Sequence, residues 1–251
     1  MTILLTAYFV IAGMLLASFF NVVGLRSPAG QSIVYPGSAC PQCKKSLTWK
    51  ELIPVFSFLI QRGKCRNCGK VISPVYPMIE ALGGLFFGLA YIYFGFTMEL
   101  IVALILISLL LIISVSDIAY MLIPDKILLF FLFLLIPLRV IEPLTPWWDA
   151  PLGAASGFIL LLLIAIMSRG GMGGGDIKLY AVIGLVLGFK LTLLSFFIAT
   201  FIGTAAGLYA IYVKKKSRKD PVPFGPSIAA GTMIAYFWGA EIISTYTDFF
   251  F

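Results

Sequence analysis

The chain has 251 residues, of which 61% are hydrophobic and 12% are charged, and its formal net charge is +7. The charged share is about half of the roughly 25% typical of soluble domains, so the composition excludes a soluble globule. The 22 Phe and 11 Tyr also exclude a disordered chain. The sequence therefore predicts an integral membrane protein.

Eight apolar runs are candidates for membrane helices, because a helix needs about 20 residues to cross roughly 30 Å of hydrocarbon. They do not alternate in polarity as barrel strands do. The runs cover residues 3–25, 77–96, 100–116, 127–141, 151–168, 177–189, 191–213 and 227–247. The expected fold is an all-α polytopic membrane protein with about eight transmembrane helices and a small cytoplasmic loop domain. The short runs at 127–141 and 177–189 are expected to be half-broken or partly outside the membrane.

Three parts follow from this pattern. A first transmembrane helix occupies residues 1–25, a cytoplasmic four-cysteine domain occupies 26–76, and a seven-helix membrane domain occupies 77–251. No cleavable signal peptide is expected, because the first basic residue, Arg26, follows the first apolar run instead of preceding it.

The distribution of Lys and Arg predicts the orientation. With both termini outside, 16 of the 18 basic residues fall in the inner loops, and only Arg139 and Lys190 lie outside. This asymmetry obeys the positive-inside rule. The inner loops are 26–76, 117–126, 169–178 and 214–226. Topology and contact with anionic membrane lipid also account for the positive charge, so no nucleic-acid partner is predicted.

All four cysteines lie in the polar stretch 26–76: Cys40 and Cys43 in CPQC, and Cys65 and Cys68 in CRNC. Two C-x2-C pairs that are separated by 21 residues favour tetrahedral zinc. About fifty residues cannot bury a large core, so a metal would stabilise the domain. Disulfides are disfavoured because the loop is predicted to be cytoplasmic. The zinc is expected to be structural, since the chain has no His and no open coordination position is evident.

Three aspartates stand apart from the other acidic residues, most of which are assigned to loops or to outer span ends. Asp117, Asp125 and Asp176 lie at predicted cytoplasmic ends of spans, where an ionisable group is a candidate for function. Asp176 follows a glycine run that allows close approach, so it could face Asp117 across a helix interface. Two facing carboxyl groups cannot both ionise easily. One could then activate water while the other donates a proton, as in peptide hydrolysis.

The residues alone leave other interpretations open. Asp125, directly after Pro124, is more readily a turn or cap residue of the fourth span, and Asp176 is equally readily an N-cap. Asp117 could instead form a buried ion pair with Lys126 or Lys178. A proton-coupled transporter that uses these carboxylates therefore competes with a protease.

Five ordered motifs resemble those of the type IV prepilin peptidases, a family of membrane aspartic proteases of the GxGD type. They are ASFFNVVGLR at 17–26, the cysteine-bearing segment 40–84, DIAYMLIPD at 117–125, GMGGGDIKL at 171–179 and PFGPSIA at 223–229. The resemblance covers nearly the whole chain. It implies that Asp117 and Asp176 are the catalytic pair and that Asp125 is accessory.

The same resemblance implies the substrates and a second reaction. The family cleaves pilin-like and pseudopilin precursors, whose short basic leader ends in Gly before a Phe, at the cytoplasmic face of the bacterial inner membrane. Many members with the four-cysteine loop also methylate the new N-terminal amine, so S-adenosylmethionine is an expected cofactor. Its binding residues cannot be named, because no GxGxxG follows a strand. A methyltransferase with an inert peptidase site is the remaining alternative.

Overall fold

The computed structural model describes residues 2–168, 171–213, 215 and 222–250. Its regular structure is helical: α1 (Thr2–Arg26), α2 (Phe56–Ile60), α3 (Val75–Phe94), α4 (Met98–Tyr120), α5 (Asp125–Ile141), α6 (Asp149–Met167), α7 (Gly174–Tyr212) and α8 (Gly225–Phe250). A single 3-10 turn covers Trp49–Glu51. Within the described residues, the β-type backbone pairing consists of two isolated antiparallel bridges in the cysteine segment. The predicted all-α fold class is confirmed. Of the basic residues that were used to predict orientation, Arg169, Lys214, Lys216, Arg218 and Lys219 lie outside the described residues.

Every predicted apolar run is helical. Five of the described helices are long and apolar enough to cross a membrane: α1, α3, α4, α6 and α7. The runs at 177–189 and 191–213 both fall within α7, which has 39 residues. An unbroken helix of that length would measure about 58 Å, nearly twice the hydrocarbon thickness of about 30 Å.

The helix α7 is not continuous over this length, because it is broken at Gly188. Gly188 has φ 75° and ψ 179°, a conformation that residues with side chains rarely adopt. Neighbouring side chains bond the backbone groups beside the break: Asp149 Oδ1 accepts from the N–H of Phe189 over 3.0 Å, and Arg139 donates to the carbonyl of Val186 over 2.8 Å. The two predicted runs are thus two helical segments that meet at Gly188.

The chain divides into two compact units, residues 1–115 and 116–251, and α4 crosses the boundary. In the first unit α1 packs against α3, with Gly13 and Gly83 so close that neither has room for a side chain. In the second unit α7 packs against α6 and α8 and more lightly against α5. Gly153 and Gly184 allow the backbones of α6 and α7 to touch. The second unit is therefore built around α7, which carries Asp176 in its first turn.

Candidate active site

The two cysteine pairs lie in turns of the same form. The N–H of Cys40 donates to the carbonyl of Lys45 over 3.0 Å, and the N–H of Cys65 donates to the carbonyl of Lys70 over 2.9 Å. An antiparallel bridge closes each turn one residue farther out. The repeated C-x2-C spacing thus gives two equivalent loops, each of which presents two thiols.

The four thiols form one cluster. The Sγ atoms of Cys40, Cys43, Cys65 and Cys68 all lie within 4.8 Å of one another, and none of the four is in a disulfide. Cys40 Sγ and Cys68 Sγ are 3.9 Å apart. Sulfurs in a tetrahedral zinc site with bonds of about 2.3 Å are roughly 3.8 Å apart. The cluster therefore fits a tetrahedral metal ion, as the sequence predicted.

Hydrogen bonds to Cys43 favour the thiolate form of this residue. The backbone N–H of Lys45 and then the side chain of Asn67 lower the pKa of the Cys43 thiol to about 6. Asn67 Nδ2 lies 3.5 Å from Cys43 Sγ, and Asn67 Oδ1 accepts from Lys45 Nζ over 3.2 Å. Metals bind thiolates, so these outer bonds assist binding.

Asp117 lies in the last turn of α4 and is 7% exposed. Its Oδ2 accepts a hydrogen bond from the backbone N–H of Gly225 over 2.6 Å, and the backbone of Phe224 supplies a second one. Gly225 is the first residue of α8, where free N–H groups and the helix dipole attract negative charge. The N-terminus of α8 therefore holds the Asp117 carboxyl in place.

Asp176 is the third residue of α7, and the backbone of Gly173 hydrogen-bonds to its carboxyl. Gly173 is the N-cap of α7, so the alternative that Asp176 is itself the N-cap is wrong. The same carboxyl is close enough to Asp117 for the charge of that residue to act on it. Both aspartates that the sequence paired therefore lie in the second unit, and their role as a catalytic pair stays a prediction.

Asp125 has a different partner. It lies in the first turn of α5, after Pro124, and its carboxyl bonds Lys178 Nζ at 2.9 and 2.7 Å. Both side chains are more than half exposed, at 59% and 54%. Lys178, which the sequence offered as a partner of Asp117, pairs with Asp125 instead. The exposed ion pair links the start of α5 to the start of α7.

The glycines before Asp176 are not equivalent. A side chain on Gly175 would come within 2.7 Å of Ile123 Cβ, whereas a side chain on Gly174 would meet nothing within 4 Å. Ile123 belongs to the short connection between α4 and α5. Gly175 therefore allows the start of α7 to lie directly against the segment that follows Asp117.

Sequence reasoning named the aspartates but missed two other features. The first is the backbone of Phe224 and Gly225, and the available signal was PFGPSIA, in which Pro226 marks a helix start. The second is Glu80, which is 9% exposed in α3. The sequence interpretation placed only the three aspartates outside loops and outer span ends. This was wrong, because Glu80 is buried within α3. An acidic residue inside the apolar run 77–96 was the available signal.

Comparison with known proteins identifies the family. The family model described as "Bacterial Peptidase A24 N-terminal domain" matches residues 11–94, and the model of the "Type IV leader peptidase family" matches residues 104–208. A prepilin leader peptidase/N-methyltransferase of Bacillus subtilis (strain 168) is 48% identical over 236 residues, which cover 94% of this chain and 95% of the relative. The chain belongs to the type IV leader peptidase family.

More distant family members carry the same name. The protein of Pseudomonas aeruginosa is 31% identical and covers 96% of this chain and 92% of its own length. The protein of Stutzerimonas stutzeri is 30% identical, with 95% and 92% covered. No solved structure matches the chain. The predicted family and the prediction of an enzyme are confirmed, and a transporter is not favoured.

Proposed function

We propose that this chain is a membrane aspartic endopeptidase that removes the short basic leader from type IV prepilin-like precursors. We further propose that it N-methylates the new N-terminal residue with S-adenosylmethionine. The observation that carries the first activity is that Asp117 and Asp176, which are remote in sequence, lie in the same compact unit, where the charge of Asp117 acts on Asp176. The names of the relatives support both activities.

The peptidase step follows from two carboxyl groups that face one substrate. One carboxylate takes a proton from water, and the oxygen of that water attacks the scissile carbonyl carbon. The other carboxylic acid donates its proton to the carbonyl oxygen. The first carboxyl then passes the proton from water to the leaving amine as the C–N bond breaks, and the other acid recovers its proton from the collapsing hydroxyl. The N–H groups of Phe224 and Gly225 keep the Asp117 carboxyl oriented during this exchange.

Isosteric variants test the pair. Asp117→Asn and Asp176→Asn should each lower the rate of prepilin cleavage by about 10²–10⁴-fold, because each removes one proton-transfer group. Asp125→Asn is the matched control and should retain most activity, because its carboxyl is bound to Lys178. The Tm of each variant in detergent reports whether the second unit, which contains all three aspartates, remains folded. Full cleavage by either Asn variant of the pair would reject the proposal.

The metal of the cysteine cluster is proposed to be zinc with a structural role. Four thiolates complete a tetrahedral shell and leave no position for water or substrate. The cluster geometry supports this assignment. The ion would hold the two turns together and take no part in either reaction.

The orientation also remains a proposal: a bacterial inner-membrane protein with both termini outside and the aspartate pair at the cytoplasmic face. The excess of Lys and Arg in the predicted inner loops supports it. Cysteine labelling tests this orientation. Single cysteines are introduced into a variant without the native four and are labelled in intact cells with a membrane-impermeant reagent. A cysteine after Phe251 should react, and one at Arg62 should not.

The methyl donor would supply an activated methyl group bound to a sulfonium. Among the described residues, Asn21 has a buried side-chain oxygen with no hydrogen-bond donor, which suits an amine that receives the methyl group. The mass of the cleaved product tests this second activity, because its N-terminus gains one methyl group or does not. An unmethylated product would remove the second activity and leave the peptidase proposal intact.

A further inference from the structure

The facing surfaces of α1 and α3 bury two polar side chains in the first unit. Asn21 of α1 is 5% exposed, and Glu80 of α3 is 9% exposed. Asn21 Nδ2 donates to the carbonyl of Tyr76 over 3.3 Å. Tyr76 precedes Glu80 by one helical turn, so Asn21 and Glu80 lie along the same stretch of the interface. Ser18 and Tyr76 border this stretch and are only half-buried.

Glu80 is held by neutral donors. Its Oε2 accepts from the N–H of Val55 over 2.8 Å, and the hydroxyl of Ser18 interacts with the same carboxyl. Val55 has φ 61° and ψ −52°, and the N–H of Phe56 bonds to the carbonyl of Pro54, which makes a strained γ-turn. Within the part of the chain that the structure describes, Glu80 has no ion pair.

The hydrogen bond to Tyr76 fixes which end of the Asn21 amide faces that residue. Its neighbour Tyr76 offers a carbonyl oxygen, which can bind only the NH₂ end of the amide. Asn21 Oδ1 therefore points away from Tyr76, and no donor in the described chain reaches it. A buried acceptor without a donor costs about 1–3 kcal/mol, so this oxygen suits a ligand that donates hydrogen bonds.

The interface thus offers acceptors without a matching cation. A carboxylate has about four acceptor positions. Glu80 has two neutral donors, the N–H of Val55 and the hydroxyl of Ser18, so acceptor positions remain. A divalent hard cation such as calcium needs about six to eight oxygen ligands, more than these two side chains supply. A primary ammonium group has three donors and one positive charge, and it matches the carboxylate and the free amide oxygen.

We infer that Glu80 and Asn21 bind the primary ammonium group of the N-terminus that cleavage exposes. The inference rests on the proposed methyltransferase function, which requires a site for that amine. An α-amino group has a pKa of about 7.7–8.0, so it arrives mostly protonated and must lose a proton before it can act as a nucleophile. Both residues lie within residues 11–94, the part matched by the N-terminal family model.

The proposed step transfers one proton to Glu80 and one methyl group to the amine nitrogen. The Glu80 carboxylate accepts one proton from the ammonium nitrogen, which frees the nitrogen lone pair. That pair forms the N–C bond to the methyl carbon of S-adenosylmethionine, and the S–C bond breaks with its electrons remaining on sulfur. The products are an N-methylammonium group, a neutral thioether and protonated Glu80, which returns its proton to solvent. Asn21 Oδ1 accepts a second N–H and orients the nitrogen.

A binding experiment tests the site without relying on methylation. The full chain in detergent is titrated with two peptides that copy the mature N-terminus of a substrate, one with a free amine and one acetylated. The wild-type protein should prefer the free amine by about 10–100-fold, since a hydrogen bond to a charged group contributes about 1.5–3 kcal/mol. Glu80→Gln should reduce this preference to below about threefold.

Asn21→Leu is the second variant, because an apolar side chain suits the α1–α3 interface if Glu80→Gln fails to fold. It should also lower the preference for the free amine. Glu241→Gln makes the same chemical change as Glu80→Gln at an exposed position of α8 and should change nothing. Methylation by both site variants should fall at least about 100-fold, whereas the Glu241→Gln protein should cleave and methylate normally.

S-adenosylhomocysteine carries an amino group of its own, so the ammonium that Glu80 binds could come from it instead of from the peptide. Titration with S-adenosylhomocysteine distinguishes the two sources. Unchanged binding to Glu80→Gln supports the N-terminal amine. Loss of that binding with an unchanged preference for the free-amine peptide would overturn this assignment. Equal wild-type binding of both peptides would overturn the inference even if methylation occurs. Absent methylation with an intact, Glu80-dependent preference would reject the second proposed activity but support the ammonium site.

Discussion

The backbone N–H of Gly225 donates a hydrogen bond to Oδ2 of Asp117 over 2.6 Å, although 108 residues separate them. The contact requires a glycine: a Cβ at position 225 would lie 2.9 Å from Asp117 Cβ and Oδ2. The first residue of α8 thus determines where the Asp117 carboxyl can lie. This relationship makes the start of α8 part of the candidate active site.

Gly225→Ala should therefore impair cleavage even though it removes no catalytic group. The added methyl would displace the Asp117 carboxyl, and a misplacement of about 1 Å costs roughly 10²-fold in rate. The measurement is the single-turnover cleavage of a prepilin. Gly207→Ala in α7 is the matched control, because a side chain there meets nothing within 4 Å, and it should cleave normally. Equal rates for both variants would contradict a positioning role for Gly225.

The Asp125–Lys178 ion pair should contribute little to stability. Both side chains are more than half exposed, and exposed pairs contribute about 0–1 kcal/mol. Asp125→Asn, Lys178→Met and the double variant should lower the free energy of unfolding by less than about 1 kcal/mol each. A double-mutant cycle that is measured by unfolding in detergent gives the coupling energy. Loss of cleavage in Asp125→Asn that matches the loss in Asp117→Asn would assign Asp125 to catalysis.

Gly188→Ala should destabilise the second unit. The break in α7 needs φ 75°, and the added methyl would also collide with the Asp149 carboxyl, which accepts the N–H of Phe189. Such backbone strain costs about 1–3 kcal/mol. Thermal unfolding in detergent should show a lower Tm for Gly188→Ala than for Gly207→Ala in the same helix. An unchanged Tm would mean that α7 can straighten without cost.

Removal of one thiol from each turn should release the metal. In a Cys40→Ser, Cys65→Ser protein only two thiolates remain, and structural zinc contributes about 10–16 kcal/mol to the folding of small zinc peptides. Elemental analysis should show loss of the ion, and limited proteolysis should cut within residues 38–72. Ser46→Ala, an exposed position in the first turn, is the control. Unchanged metal stoichiometry would remove the structural role proposed for the ion.

Local features of the chain were predictable because they depend on short stretches of sequence. Apolar runs of membrane length predict helices at any position in the chain, and the C-x2-C spacing predicts a turn that presents two thiols. The sequence also separated the runs at 177–189 and 191–213, which lie on either side of Lys190, but it did not predict that both belong to one helix broken at Gly188. The proposed pairing of Asp117 with Asp176 needed more than spacing, and it was the resemblance to the family motifs that implied it.

The sequence by itself determined that this is a helical membrane protein with four thiols in two matching turns that could hold a metal, because hydrophobicity and ligand spacing act over a few residues. Only the tertiary structure decided which groups meet: Gly225 with Asp117, Lys178 with Asp125, and Val55 with Glu80. Such contacts depend on how separate helices pack and on where backbones can touch. A buried carboxylate such as Glu80 acquires its neighbours only in the folded chain, so its chemistry is fixed by packing.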